Sequence, residues 1–227
     1  MENLKVYCHM YLSIDGKSVG PFMDEDFNKI SGDFYDEEIF KMGNAMANGK
    51  LTWLDEDLKK DISLDKYEKE ELLDDYIVLD DYYHFVFDRT GESYFKSNKN
   101  TYAGKDMQIV MVLTPSVDRR YLSYLKSLNI SYIICSRENY VIEALTKARD
   151  IFKIKNFVLT GGALINGGFF KDDLIDVISL VISPNIDGLK NDKSFIEIEK
   201  YKTNNFKFIK ANPLQDGGVQ LIFEKKY

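Results

Sequence analysis

NFVLTGGALINGGFFKDDLIDVISLVISPNIDG, from Asn156 to Gly188, is the stretch that decides the fold. It begins with an apolar strand, FVL at 157–159, which runs through Thr160 into the pair Gly161-Gly162. A short amphipathic run then leads to a second apolar strand at 177–182, which a proline stops. A strand, a helix and a second strand of these lengths predict one parallel βαβ unit.

The two glycines are the first candidate for chemistry. Backbone amides just after Thr160 open a helix, so they lack carbonyl partners, and glycine lets a phosphate approach them closely. The turn is therefore a candidate pyrophosphate site. It is not the dinucleotide fingerprint, which needs a third glycine at fixed spacing and an acidic residue about 20 positions on. A Gly-Gly pair also suits a simple turn, and that alternative stays open.

Three segments together resemble a known family. They are GGALINGGFFKDDLIDVISLVISPNIDG at 161–188, LSIDGK at 12–17 and GKLT at 49–52. In order and spacing they are similar to the riboflavin-biosynthesis pyrimidine reductases, which share the dihydrofolate reductase fold. The resemblance implies an α/β fold of three αβα layers, with a mixed, mainly parallel central sheet and antiparallel C-terminal strands. It also implies one reductase domain over 1–227, with an acidic helical insertion at about 55–81.

The resemblance further implies an NADPH cofactor and a small-molecule substrate. Asp15 and Ser13 would face the nicotinamide and the substrate as catalytic residues, and Asp15 and Thr160 would touch the substrate. The candidate proton donor is Asp15 or a water that it orients. Thr114, Ser116 and Ser136 also suit simple helix caps. The implied cofactor-binding residues are Leu12, Gly49, Lys50, Thr52, Thr114, Ser116, Gly161, Gly162, Ala163, Leu164, Ile165 and Asn166.

The chain departs from the family pattern at several positions. Thr160 replaces the glutamate before Gly-Gly, Val177 replaces the glutamate after Leu-Ile-Asp, and Lys50 replaces the arginine of the Gly-Arg-x-Thr loop. The family holds the substrate's phosphoribosyl end with arginines that follow this loop, but no arginine precedes Arg89 here. We therefore expect the fold and cofactor to be kept and the substrate to differ.

Composition and charge limit the kinds of partner, metal site and cellular compartment that the sequence predicts. The 227 residues are 44% hydrophobic and carry a net charge of −7, and residues 55–81 alone hold 12 acidic residues against 4 lysines. An acidic surface argues against nucleic acid as a partner. Cys8 and Cys135 lie in apolar runs, which predicts buried free thiols, and the two histidines predict no metal site. No signal peptide and no long apolar run appear, so we expect a soluble, cytosolic protein without membrane contact.

Periodicity predicts the remaining elements. We expect helices at Asp36 to Asn48, Arg119 to Leu128 and Asn139 to Phe152. We expect strands at Leu4 to Leu12, Tyr83 to Phe87, Met107 to Leu113, Ser131 to Cys135, Phe195 to Lys200, Asn205 to Lys210 and Val219 to Glu224. The last three carry apolar residues on both faces, which predicts a covering second copy and hence a homodimer.

The leading hypothesis is an NADPH-dependent reductase, whose demanding chemistry belongs to the cofactor. That explains why no strong catalytic constellation appears in the sequence. The alternative is a non-catalytic module on the same scaffold that binds a dinucleotide or a protein partner, with the acidic block as the partner surface.

Overall fold

The computed structural model describes residues 3–190 and 193–226. The chain divides into two compact units, a terminal unit of Met1–Gly43 with Lys155–Tyr227 and a central unit of Asn44–Ile154. The expectation of a single domain stays a prediction. In chain order the elements are β1 (Lys5–Leu12), α1 (Lys29–Met42), β2 (Ala45–Gly49), α2 (Glu56–Asp61), β3 (Tyr83–Phe87), β4 (Lys99–Tyr102), β5 (Lys105–Leu113), α3 (Arg119–Ser127), β6 (Ser131–Ile134), α4 (Tyr140–Asp150), β7 (Asn156–Leu159), α5 (Ala163–Lys171), β8 (Val177–Ile182), β9 (Phe206–Pro213) and β10 (Val219–Lys225).

The terminal unit is built on a mixed sheet. Its strands lie in the order β7-β1-β8-β10-β9; the first three are parallel, and β10 is antiparallel to both of its neighbours. Strand β7 is joined to β8 through α5, which is the predicted βαβ unit. The expected α/β fold, with a mainly parallel sheet and antiparallel C-terminal strands, is confirmed.

Strand β1 is buried on both faces because helices cover both. The His9 ring stacks on Tyr35 of α1 at 4.6 Å between centroids, so one face meets α1. Met10 points to the opposite face, where its sulfur lies 3.3 Å from the Asn166 amide nitrogen of α5. The period-two alternation of the sequence therefore places α1 and α5 on opposite faces of this sheet.

The central unit repeats the parallel pattern. Strands β2, β3, β5 and β6 pair in parallel, and β4 adds to β5 as an antiparallel strand. Helix α3 is capped by Asp118, whose carboxylate accepts a hydrogen bond from the Arg120 amide. The core under α3 consists of Val86, Phe95, Ile109, Met111, Leu113, Val117, Tyr121, Leu122, Tyr124, Leu125, Ile130 and Tyr132.

Two predicted elements were wrong. The helix expected over Asp36 to Asn48 ends at Met42, and the buried residues from Ala45 belong to β2. A fully buried parallel strand is a short apolar run, which periodicity cannot distinguish from a helix end. The strand expected at Phe195 to Lys200 is irregular instead, and the Glu197 amide donates to the Ala163 carbonyl of α5 at 3.1 Å.

The acidic segment is less helical than expected, and most of its acidic residues are exposed. Helix α2 covers only Glu56–Asp61, and Tyr76 forms an isolated bridge to Tyr132 of β6. Four acidic side chains pair with cations elsewhere in the central unit: Asp65 with Arg120 at 2.6 Å, Glu70 with Lys126 at 2.6 Å, Asp75 with Lys147 at 2.8 Å, and Asp80 with Lys99. These ion pairs link the acidic segment to the rest of the central unit.

Candidate functional site

The turn after β7 needs its glycines for different reasons. Gly161 has φ +112°, in the left-handed region, and a Cβ there would lie 3.0 Å from the Met10 methyl. Gly162 caps α5 with an ordinary extended backbone (φ −52°, ψ 175°), and a Cβ there would meet no atom within 4 Å. The first glycine fixes the turn, and the second leaves open space in front of the helix.

The first turn of α5 offers free donors. No side chain caps it, and its first helical bond runs from the Asn166 amide to the Gly162 carbonyl at 3.1 Å. Within the described residues, the amides of Ala163, Leu164 and Ile165 have no acceptor. Unpaired amides and the helix dipole favour an anion at this end. The arrangement therefore fits one phosphate or pyrophosphate group.

Asn166 lies at the end of this stretch but is enclosed. Its amide nitrogen donates to the Phe195 carbonyl at 2.7 Å, and the side chain is fully buried. One helical residue later, a Cβ on Gly167 would lie 1.8 Å from the Glu197 carbonyl oxygen. Asn166 therefore fastens the 193–199 segment against α5, which is a positioning task that the sequence did not indicate. Thr160, assigned to substrate, is half-buried just after β7.

The loop after β1 is closed by its own polar groups. Leu12 ends the strand, and the buried Ser13 hydroxyl donates to the Asp15 carboxylate at 2.7 Å. The two Asp15 oxygens also accept from the amides of Asp187 and Gly188, each at 3.0 Å. Asp15 thus joins the loop after β1 to the loop after β8.

These bonds decide the charge of Asp15. The Ser13 hydroxyl, and then the amides of Asp187 and Gly188, lower the pKa of Asp15 to about 2, because they all stabilise the carboxylate. The side chain is therefore ionised at neutral pH. In this geometry Asp15 is an acceptor that holds two loops together, and its role in proton donation, directly or through a water, stays a prediction.

Beside this loop the terminal unit has a groove of about 650 Å³, a volume typical of small-molecule sites. It lies past the carboxyl ends of β1 and β8, where parallel sheets place their ligands. The sequence did not indicate it, because its walls come from distant segments. The lining residues are Ile14, Pro21, Phe22, Glu25, Phe27, Pro184, Asn185, Ile186, Asp187 and Leu189.

In the central unit, Gly49 ends β2 and a short 3-10 turn, Lys50–Trp53, follows. The Lys50 ammonium lies 2.6 Å from Glu92 Oε1, and Lys50 is the main cause that lowers the pKa of Glu92. Thr52 is exposed. Trp53 packs against His84 and Phe95, and its indole nitrogen donates to the Asn48 side chain at 2.7 Å. Lys50 is thus available to a phosphate only in competition with Glu92.

The predicted hydroxyls of the central unit have protein partners. Thr114 is buried, donates to the Arg89 carbonyl at 2.8 Å and lies 2.7 Å from the exposed Ser116 hydroxyl. The Ser136 hydroxyl and amide both bind the Glu143 carboxylate. The sequence reasoning passed over Arg89, an exposed cation 4.0 Å above the Tyr140 ring. It is the second residue after β3, a buried parallel strand, and its place near the end of such a strand was the signal.

Other reactive groups are buried. Burial raises the pKa of both Cys8 and Cys135 to about 12, so both are neutral thiols, and the expectation of buried free cysteines is confirmed. Burial also lowers the pKa of His9 to about 4 and that of His84 to about 3. In the described parts of the chain, no cluster of His, Cys, Asp or Glu could hold a metal ion.

Residues 3–190 and 193–226 include no helix long and apolar enough to span a membrane.

No family model matches the chain. Solved structures do. A pyrimidine reductase-like protein from Corynebacterium diphtheriae aligns with a TM-score of 0.70 and 12% identity, over 99% of this chain and 92% of that one. The chain has the fold of the pyrimidine reductases. The resemblance of the three sequence segments is thereby confirmed at the level of the fold.

Two further matches have the same character. RibD from Acinetobacter baumannii aligns with a TM-score of 0.67 and 14% identity, over 98% of this chain and 58% of its own. The riboflavin biosynthesis reductase Rib7 of Saccharomyces cerevisiae aligns with a TM-score of 0.57 and 11% identity, over 98% and 90%. The chain thus matches a little over half of the RibD chain and nearly all of the yeast one.

Proposed function

We propose that this chain is an NADPH-dependent reductase of the pyrimidine reductase type. The observation that carries the proposal is the open first turn of α5, with three unpaired amides behind a glycine that leaves space for a ligand. Such a turn at the carboxyl end of a parallel strand suits a dinucleotide pyrophosphate.

The names of the structural neighbours support the reaction class. A Thermotoga maritima protein of this fold is named a deaminase and 5-amino-6-(5-phosphoribosylamino)uracil reductase; it aligns with a TM-score of 0.60 and 15% identity, over 98% of this chain and 57% of its own. We carry over the reductase class and the pathway, riboflavin biosynthesis, as an analogy of fold. The departures at Thr160 and Val177 and the missing arginines leave the substrate itself open.

The terminal unit has residues for each task at the reacting end. The amides of 163–165 would hold the pyrophosphate, and Ser13 with Asp15 would fix the loop beside nicotinamide and substrate. When bound, the cofactor would supply a hydride to the carbon of a polarised double bond, and Asp15 or a water that it orients would supply the proton to the heteroatom of that bond. Asp15 would also keep the loop closed through its bonds to the amides of Asp187 and Gly188.

In the central unit the assignments of Gly49, Lys50, Thr52 and Ser116 stay predictions that rest on the family resemblance. Thr114 would position Ser116, to which it is hydrogen-bonded. If Lys50 contacts the ribose 2′-phosphate, NADPH should stabilise the protein more than NADH does. Ligand at about 100 times its dissociation constant adds about 2.7 kcal/mol to the free energy of unfolding, which a melting curve detects. Equal shifts with both nucleotides would remove the assignment.

Turnover distinguishes the reductase from a non-catalytic module. The protein is incubated with pyrimidine, pterin or carbonyl compounds and with NADPH deuterated at the transferred position of the nicotinamide. Mass spectrometry then measures the masses of the products. A reductase transfers one deuterium to the substrate carbon and releases NADP⁺. Binding of NADPH without consumption by any compound would favour the module.

We also propose that the chain forms a homodimer. Phe208 and Ile209 of β9 are 53% and 43% exposed at the edge of the terminal-unit sheet. An exposed apolar edge strand invites pairing, and a second copy around a two-fold axis is the simplest cover. Light scattering on dilute protein tests this: a mass near the 26.3 kDa of one chain at all concentrations would exclude it.

A further inference from the structure

The groove of the terminal unit has an unusual charge for the substrate class of this fold. Glu25 and Asp187 are its charged lining residues, and within the described residues no lysine or arginine lines it. A phosphate dianion in such a groove would meet two carboxylates and no cation. The repulsion between these like charges would be strong, because protein screens charges less than bulk water does.

Most of the remaining surface of the groove is apolar. Four large aliphatic or aromatic side chains around it are exposed by half or more: Ile14 (58%), Phe27 (60%), Ile186 (71%) and Leu189 (50%). Clustered exposed apolar groups are typical of ligand-binding clefts. They favour a flat or apolar molecule that covers them.

One polar group in the lining is fixed and unused. The Asn185 Oδ1 accepts hydrogen bonds from Asn28 Nδ2 at 3.2 Å and from the Ser183 hydroxyl, so its orientation is set. Among the described residues none accepts from the Asn185 Nδ2 group. An amide donor held in place by two partners recognises an acceptor such as a ring carbonyl.

We propose that this groove binds a non-phosphorylated heterocyclic carbonyl compound. The ring covers the exposed apolar side chains, a ring carbonyl accepts from Asn185, and the two carboxylates exclude a phosphate group. The proposal deepens the reductase function and rests on it for the reaction, but the groove's preference is a property of the ligand-free protein. It assigns this chain a different substrate class from that of phosphoribosyl-pyrimidine reductases.

A matched pair of ligands tests the preference. Isothermal titration of the protein without nucleotide compares 5-amino-6-(5-phosphoribosylamino)uracil with its dephosphorylated form. We expect the dephosphorylated compound to bind more tightly by about tenfold or more, a difference of about 1.4 kcal/mol. Tighter or equal binding of the phosphorylated compound, or no binding of either, would overturn the proposal.

Two variants localise the effect. Glu25→Lys should reduce the penalty on the phosphorylated compound by about tenfold, because it replaces a repelling charge with an attracting one. Glu37→Lys is the control, since Glu37 lies on α1, is exposed and does not line the groove. Phe27→Ala should weaken binding of the dephosphorylated compound by about tenfold, whereas Tyr201→Ala, at a 91% exposed position outside the groove, should not. If each control variant changes the affinity as much as its test variant does, the ligand binds outside the groove.

The outcomes separate this inference from the proposed function. If NADPH raises the melting temperature but neither pyrimidine binds, the groove assignment fails and the reductase stands. If the dephosphorylated compound binds but NADPH neither stabilises the protein nor is consumed, the reductase fails and the groove stands.

Discussion

Two strand-to-helix turns of this protein look alike in topology and differ in what fills them. The turn from β7 to α5 has two glycines, no capping side chain and unpaired amides. The turn from β6 to α4 is closed by its own carboxylate, since Glu143 binds both the amide and the hydroxyl of Ser136. A hydroxyl at a strand end is thus not by itself a ligand contact. Both helices begin without a capping side chain, so the difference lies in the loop before each helix: a carboxylate fills the loop before α4, and Gly162 leaves open space before α5.

The largest effect should come from closing the open turn. Gly162→Asp places a carboxylate at a position where a Cβ has free space and the backbone suits a cap. The free energy of unfolding should change by less than about 0.5 kcal/mol. NADPH affinity should fall by about 100-fold, because the carboxylate binds the same amides and repels the pyrophosphate.

Titration calorimetry and urea unfolding measure both quantities on the same samples. Gly162→Asn is the matched control: it caps the helix with a neutral side chain of the same size, so its loss of affinity should be smaller. Unchanged affinity in the aspartate variant would place the pyrophosphate away from α5.

A second glycine of α5 should behave in the opposite way. Gly167→Ala should cost about 2–3 kcal/mol of stability, because its Cβ would lie 1.8 Å from the Glu197 carbonyl and backbone must move. Gly32→Ala in α1, where a Cβ meets nothing within 4 Å, should instead stabilise by about 0.5–1 kcal/mol. Equal effects of the two substitutions in urea unfolding would show that the 193–199 segment does not lie on α5.

Substitutions in the closed turn between β6 and α4 should change the stability of the protein but not its affinity for NADPH. Glu143→Gln keeps one acceptor for Ser136 but loses the charge, and should cost about 1 kcal/mol. The Ser136 hydroxyl is the main cause that lowers the pKa of Glu143, so the wild-type contribution is complete above the ordinary value of 4.5 and disappears as pH falls below it. NADPH affinity should stay within about threefold. A larger loss of affinity would make this turn part of the nucleotide site.

The smallest effect concerns the loop held by Asp15. Its folded pKa of about 2 lies below the ordinary 3.8, so the clamp is complete above pH 3.8 and is lost only as pH falls toward 2. Carboxyl NMR titration of the folded protein should give a midpoint near 2, and Ser13→Ala should raise it, since the Ser13 hydroxyl is its main cause. A midpoint at or above the ordinary value would mean that the loops after β1 and β8 are not joined.

Local pattern was enough for much of the fold. The strands Tyr83–Phe87 and Val177–Ile182 were predicted to the residue, because apolar runs bounded by turn residues have few other solutions. The misplaced strand at Phe195 to Lys200 failed for a non-local reason: the segment satisfies its backbone against α5, about 30 positions earlier in the chain.

The site divides in the same way. Gly161 and Gly162 were identifiable, since glycines between a strand and a helix have a local meaning. Asn166 and Thr114 were not distinguishable from ligand contacts, because their partners, the carbonyls of Phe195 and Arg89, come from other segments. The groove could not be predicted at all, since its walls join 14–27 to 184–189.

If the open turn of α5 holds the cofactor's pyrophosphate, its amides should respond directly to NADPH, and ¹⁵N–¹H NMR spectra of the protein titrated with NADPH measure that response. The amide resonances of Ala163, Leu164 and Ile165 should be among those that move most, with a saturation curve that matches the affinity from calorimetry. Saturating NADPH binding that leaves these three resonances in place would show that the pyrophosphate binds elsewhere.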